Sequence, residues 1–510
     1  MGALPGIEYR KTSSRSNKIV LKENPVAGFV GVTEKGPLHE AVKIRDYNQF
    51  LRIFGGFDTA GFLPFSVYSF FQNGGKQCYV VRTAHLKGEG AAARAGFTLE
   101  SEGKATARLT AKSEGIWANR IRVNLWHVPT SRTNRILRVN LSLNCGPIQE
   151  DFLDLSANPD DEDFYLSRIG ERSRLVDINR LSGGEEYELP GEVYNSCFSG
   201  GREGISALTA GDFIGSASDP LKKTGLALLE TALDVNLLAI PDTALLEKDK
   251  DRLSVHRALV DHAENNDGRF SLLDLSGRLS PQEAVKYRKK LCSSKAALYY
   301  PDLKVIDPAD QSIFALPASC AMAGIVSELD LKHGCYYPPG NRFIEGAVAL
   351  SRPLLKEEMA WLYEEGINSF MKVPGKGIKV WGVRTLSDDP SWRFINVRRT
   401  VTFLGAAIKK GTAWAVFEPN DLALRKRLVR HVTSYLIDVW RKGYLAGKTA
   451  DEAFYVRCDE ELNPPENVDS GILTVEVGLC VVKPAEYITV TLHAEKEHTK
   501  VIIDEEVVYG

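Results

Sequence analysis

Val380-Trp381-Gly382-Val383-Arg384 reads as a strand, Phe394 to Lys410 as a helix, Ala413-Trp414-Ala415-Val416-Phe417 as a strand and Asp421 to Lys442 as a second helix, with three further strands up to Leu492. The stretch predicts a compact mixed α/β module. In its second helix Asn420 or Asp421 suits the N-cap, Leu428, Val432, Tyr435 or Leu436, and Val439 recur at helical spacing, and Gly443 closes the run. The other face is read as carrying Arg425, Lys426, Arg427, Arg430, Arg441 and Lys442. Leu473, Val475, Val477, Leu479 and Val481 then alternate with Thr474, Glu476 and Gly478, and Ile488, Val490 and Leu492 repeat the pattern after Pro484. Beyond them a charged tail holds one short strand, Lys500-Val501-Ile502-Ile503, for which the chain offers no evident partner.

Working outward, 510 residues are enough for about three or four domains. Hydrophobic residues at 44% and charged residues at 25% are those of a soluble globular chain, and no apolar run is long enough for a membrane span. A net charge of -2 gives no global footprint for nucleic acid or anionic membranes. The start, Met1-Gly2-Ala3-Leu4-Pro5-Gly6, lacks the basic and apolar regions of a signal peptide, which leads to the expectation of a cytosolic protein. Eight cysteines stand singly, without C-x-x-C pairs, and are expected to be buried thiols.

Toward the N-terminus, residues 1–24 read as an extended arm with one strand, Lys18-Ile19-Val20-Leu21-Lys22. Residues 25–86 form an N-terminal α/β segment, with a buried strand at Val26 to Val32, helices near Asp46 to Phe54 and Leu63 to Asn73, and a strand at Gln77 to Arg82. Residues 87–204 turn to strand-formers and polar loops and predict an inserted, mainly β, peripheral domain. Residues 205–350 alternate strand and helix, predicting a mostly parallel sheet covered by helices. Residues 351–494 hold the opening module, and 495–510 a C-terminal arm. The fold class expected is α/β and α+β multidomain: a mixed α/β C-terminal module with strand-exchanging terminal arms, a mainly β inserted domain and a middle α/β domain.

Chemistry-bearing motifs fail on spacing. Gly443-Tyr444-Leu445-Ala446-Gly447-Lys448-Thr449 has three residues between its glycines where a phosphate loop has four, and it follows a helix; a helix-end turn is favoured. His493 to His498 lacks the order of a zinc motif, and Asp160 to Asp163 lacks calcium-loop spacing. Asp242 and Asp302, each after a Pro at a strand end, sit where open sheets often place active sites; they carry the alternative reading of an α/β enzyme, a hydrolase or nucleotide-dependent protein. Otherwise no catalytic residue, cofactor or metal site is expected.

Trp381-Gly382-Val383-Arg384-Thr385-Leu386, Trp392-Arg393-Phe394-Ile395-Asn396-Val397-Arg398-Arg399, Phe417-Glu418-Pro419-Asn420-Asp421, Leu445-Ala446-Gly447 and Phe454-Tyr455-Val456-Arg457-Cys458-Asp459 together resemble the C-terminal half of contractile tail sheath proteins. Pro5-Gly6-Ile7-Glu8-Tyr9, Gly31-Val32-Thr33-Glu34-Lys35-Gly36-Pro37 and Gly115-Ile116-Trp117-Ala118-Asn119-Arg120 resemble that family's start and its G-x-W-G-N segment, with Ala118 where Gly is commoner. The resemblance implies a non-enzymatic subunit of a phage tail or phage-tail-like particle, assembled in the bacterial cytoplasm. It implies a helical homo-oligomer around an inner tube protein, with baseplate and terminal cap proteins as partners and no direct nucleic-acid contact or membrane insertion. Arms that add strands to neighbouring copies are part of that implication, and Lys18 to Lys22 and Lys500 to Ile503 are the segments suited to β-augmentation. Arg425, Arg427 and Arg430 are the candidate tube contact.

Overall fold

The computed structural model describes residues 19, 25–57, 61–128, 138–181, 190–216 and 223–486, and the backbone alone of 488–494 and 501–507. The described chain divides into two compact units: Pro25–Glu328 with Pro339–Asp388, and Leu329–Pro338 with Asp389–Gly510 and the N-terminal segment. It is a mixed α/β multidomain fold. No described helix is long and apolar enough to cross a membrane.

The larger unit is built on an eight-stranded sheet whose strands are β1 (Ala27–Gly31), β2 (Val42–Ile44), β3 (Cys78–Arg82), β4 (Leu237–Ala239), β5 (Phe270–Asp274), β6 (Ala296–Tyr299), β7 (Ile367–Val373) and β8 (Gly377–Trp381). Their order is β8-β7-β6-β5-β4-β1-β3-β2. The six central strands are parallel, and β2 and β8 run antiparallel at the two edges. Every residue of β1, β5 and β6 is buried, which explains why these strands read as unbroken apolar runs: helices cover both faces. The order reverses between β1 and β4. After β1 the chain steps outward to β3, and it later returns to β1's other side with β4.

Residues 95–198 carry a separate core, with Leu99, Leu109, Trp117, Val123, Leu141 and Val176 buried together. It lies among a three-stranded sheet (Gly96–Ser101, Lys104–Ala111, Val176–Arg180) and a four-stranded one (Val193–Cys197, Arg122–Val128, Arg138–Cys145, Ile148–Ser156), both antiparallel. The chain enters and leaves this β body side by side. Ala93 N–H donates to Arg202 O at 2.9 Å, Arg202 N–H donates back at 3.0 Å, and Gly96 and Ser199 make the next such pair. Asn119 fastens the same place, donating to Gly201 O and accepting from Gly201 N–H.

The smaller unit packs helix α1 (Ile395–Thr412) and helix α2 (Leu422–Arg441) around Leu404, Val432, Leu436, Val439, Leu445 and Phe454. Asp421 caps α2 by accepting from Leu424 N–H. A two-stranded sheet, Phe454–Arg457 with Glu476–Leu479, and a hairpin, Ile488–Ala494 with Val501–Val507, complete the described backbone.

Four readings of the opening stretch need correction. Of the strand read at Val380–Arg384 only Val380 and Trp381 lie in β8, which is hairpinned to β7 through Gly375 and Gly377 with positive φ and so sits in the larger unit's sheet. Ala413–Phe417 is not a strand: Ala413–Ala415 form a 3-10 turn, and the apolar residues after it have no ladder to join. The alternation from Leu473 to Val481 yields a strand over Glu476–Leu479 alone, the span that Phe454–Arg457 can pair. The tail has a partner in its own chain, Val501 lying opposite Ala494 and Ile503 opposite Leu492; segments so close in sequence close a hairpin at small entropic cost. Lys500, Lys18 and Val20 to Lys22 lie outside the described residues, whereas Ile19 packs, partly buried, against the smaller unit's core. All eight cysteines are free, but Cys197, Cys292 and Cys480 are exposed, contrary to the expected burial.

Candidate interaction surfaces

The conspicuous polar residues of the smaller unit divide into those that hold it together and those left at the surface. Arg399 makes a two-pronged bond to Asp330, Nη1–Oδ1 at 2.8 Å and Nη2–Oδ2 at 2.5 Å, with both side chains buried. Asn396 donates to the carbonyls of Tyr336 and Val482. Arg398 lies over the Trp392 ring at 4.5 Å. Within the run from Trp392 to Arg399, Asn396 and Arg399 are therefore buried fastenings, while Arg393 is exposed.

The basic face of α2 is narrower than its sequence suggests. Arg425 is buried, because it stands three residues before Leu428 and so on the core side of the helix. Arg427 is exposed yet engaged: it pairs with Glu418 at 2.8 Å and stacks on Trp414 at 4.2 Å, while Trp414 donates its indole N–H to His431. Arg430 and Lys426 remain exposed and, with Arg425, Thr433 and Ser434, line a groove of about 570 Å³ to which Leu422, Val429, Ile437 and Cys458 also contribute. Of the three arginines read from the sequence, Arg427 and Arg430 are exposed while Arg425 is buried but still lines the groove, where Lys426 adds an exposed charge.

Next to the groove's Leu422 end lies the feature that the sequence reading missed. Phe417 is fully exposed and holds φ at +67°, a left-handed conformation uncommon for an aromatic residue. Val416 and Leu422 are exposed beside it in the chain, and Asn420 ties the loop to the backbone of exposed Ile472 at 3.3 Å. Large apolar groups rimmed by charge are the usual look of a protein contact surface.

The strand-end carboxylates are bonded to the backbone. Asp242, completely buried after β4, accepts from Val32 N–H and from Phe62 N–H, each at 2.5 Å. Burial pushes its carboxyl up to about 7 against the pull of these bonds. Asp274, at the end of β5, accepts from Ser319 N–H at 2.8 Å, and burial pushes it up to about 7 as well. Asp302 accepts from Gly277 N–H at 3.0 Å and is likewise raised by burial. The Gly443 segment is a helix end: Gly443, with φ +86°, donates to Trp440 O, and Trp440 reaches Gly447 O with its indole N–H.

Residues 222–386 match the phage tail sheath protein central domain and residues 387–495 the phage tail sheath C-terminal domain, together more than half of the chain, which belongs to the contractile tail sheath proteins. It is 30% identical over 217 residues to a prophage major tail sheath protein of Pseudomonas aeruginosa, covering 42% of this chain and 55% of that one. It is 24% identical over 312 residues to the tail sheath protein of Burkholderia phage BcepMu, covering 57% of this chain and 63% of that one. These matches span between half and two thirds of the relatives' own length. Its fold is similar to the anti-feeding prophage helical sheath in the contracted state, with a TM-score of 0.59 at 21% identity, over 96% of this chain and 99% of the other.

Proposed function

We propose that the chain is the sheath subunit of a contractile phage tail or injection particle. Many copies stack helically around an inner tube in an extended, metastable state and contract to drive the tube through a target envelope. The observation that carries this reading is the unbroken match of residues 222–495 to sheath central and C-terminal domains. The role is structural rather than catalytic: Asp242 and Asp302, which carry the enzyme alternative, are buried and accept backbone N–H groups. Assembly takes place in the bacterial cytoplasm, with baseplate and terminal cap proteins as further partners.

The division of labour follows the residue ranges read from the sequence. Residues 1–24 and 495–510 are the arms, 87–204 the peripheral β domain, 25–86 and 205–350 the α/β segments, and 351–494 the tube-facing domain, except that 351–388 goes with the larger unit's sheet and the tube-facing part begins at Asp389. A two-stranded hairpin such as Ile488–Ala494 with Val501–Val507 is marginal by itself and leaves two open edges. Pairing it with a neighbouring copy's sheet stabilises both, and such strand additions let neighbours rotate during contraction without separating. The tube contact lies along the exposed face of α2, with Lys426 and Arg430 supplying charge and Phe417 and Leu422 the apolar anchor.

Negative-stain images of the purified chain test the reading: long hollow tubes support it, and monodisperse globular particles under all assembly conditions overturn it. Deleting residues 497–510 is expected to abolish polymerisation while leaving a folded monomer. Normal tubes from that truncation would refute the role of the C-terminal arm.

A further inference from the structure

The β body is tied to the eight-stranded sheet at two places. One is the ribbon in which Ala93 pairs with Arg202 and Gly96 with Ser199. At the other, two segments conspicuous in the sequence come together: Gly31 to Pro37, which leaves the end of β1, and Gly115 to Arg120 of the β body. Arg82, the last residue of β3 and only 2% exposed, spans them. Its Nε donates to Thr33 O at 3.3 Å and its Nη1 to Gly36 O at 2.9 Å on the sheet side, while Nη2 donates to Glu114 O at 2.7 Å on the β-body side. The Glu114 carboxylate stands 3.5 Å from the same guanidinium and accepts from Arg94 Nε at 3.0 Å. A guanidinium is planar and carries its donors in a fixed fork, so three carbonyls held at once set the angle between the two segments as well as their distance.

A second layer of bonds surrounds this one. Gly36 N–H donates to the buried Ser113 Oγ at 3.2 Å. Arg120 pairs with Glu34 Oε1 at 2.5 Å, and Glu34 Oε2 accepts from Gly56 N–H at 3.0 Å. Lys35 Nζ lies 5.7 Å from the centre of the Trp117 ring. Gly115 holds φ at +134°, and a Cβ on it would lie 2.7 Å from Glu34 O, so glycine is what lets the two segments close on each other.

We propose that this cluster is a latch: it holds the β body at one angle to the eight-stranded sheet, and opening it lets the body swing on its ribbon. The ribbon by itself is a hinge, a few residues able to absorb a rotation, and the second attachment removes that freedom. Each side keeps its own core, around Leu109, Val123 and Leu141 in the β body and around Val30, Leu238 and Leu298 at the sheet, so opening the latch unfolds neither. This inference rests on the larger unit alone and is independent of the sheath reading.

The exposed Cys197 of the β body and the exposed Cys292 of the larger unit outside it take spin labels in the full chain once Cys145 and Cys480 are replaced by Ser. Labelled chain is diluted into unlabelled chain, so that only distances within one copy count. Double electron–electron resonance is expected to give a narrow distance distribution with the latch intact. Arg82→Met should broaden it about twofold while near-ultraviolet circular dichroism stays native. A broad distribution in the intact chain, or an unchanged width in the folded variant, overturns the proposal. Ser113→Ala with Arg120→Ala cuts the outer layer, leaves Arg82 in place and is expected to broaden the distribution by a smaller amount. That variant decides the matter where Arg82→Met fails to fold, and an unchanged width there overturns the proposal.

Discussion

Arg399→Met removes one half of a buried ion pair and leaves the other half in place. The Arg399 and Asp330 side chains are only 9% and 5% exposed, so the Asp330 carboxylate would lose both short bonds with little water to replace them. Breaking one side of such a pair costs about 3–5 kcal/mol, because the charge that remains is desolvated without compensation. Removing both charges is different: Arg399→Met with Asp330→Leu leaves an apolar contact of similar volume and is expected to lie within about 1 kcal/mol of wild type. Denaturant unfolding followed by tryptophan fluorescence reads this out, since Trp392, Trp414 and Trp440 all lie in the smaller unit. The two singles and the double then form a mutant cycle. A single-variant loss below about 1 kcal/mol, or a double variant as unstable as the two losses added, would refute the reasoning.

Two further outcomes are specific. Burial raises Asp274 from 3.8 to about 7, so the folded chain holds an extra proton in that window and this group's contribution to stability falls as pH rises through it. An amide can still accept the Ser319 N–H, so Asp274→Asn is expected to stabilise the chain at pH 8 by at most about 4 kcal/mol and to have no such effect near pH 4; a pH-independent difference in unfolding free energy would contradict this. Phe417→Gly relieves a left-handed backbone at about 1–2 kcal/mol and removes an exposed anchor, so the monomer should unfold later while particles assemble less well. Parallel gains or parallel losses in both assays would show that Phe417 is ordinary loop.

Much of this was legible in the residues. The buried parallel strands announced themselves as apolar runs, and α2 by the spacing of Leu428, Val432 and Val439. The core-side placement of Arg425 follows from the same spacing and could have been read from it; the eye grouped it with its charged neighbours instead. Other features depend on distant partners. Nothing local to Ala413–Phe417 distinguishes a short strand from an exposed turn, since the choice rests on whether a ladder is available. Asp242 looked like a turn residue or a catalytic one because its bonds are to backbone 180 and 210 residues earlier. Phe417 escaped because backbone strain leaves no mark in composition.

The side-by-side entry and exit of the β body, joined at Ala93–Arg202 and Gly96–Ser199, makes that body a cassette on a two-stranded stalk. Everything above the stalk has its own core, and it also meets the strand ends beside the stalk: Arg82 donates to Glu114 O at 2.7 Å and Gly36 N–H donates to Ser113 Oγ at 3.2 Å. A replacement with closely spaced termini would present the same ends, but it would also have to supply partners for buried Arg82, which now has Glu114. Closure entropy rises by only about 0.6 kcal/mol for each doubling of a flexible insert, which leaves the size of the payload nearly free to change. The stalk is thus a grafting point, and what can be exchanged there is limited by the contacts at Arg82 and Gly36 rather than by the length of the insert.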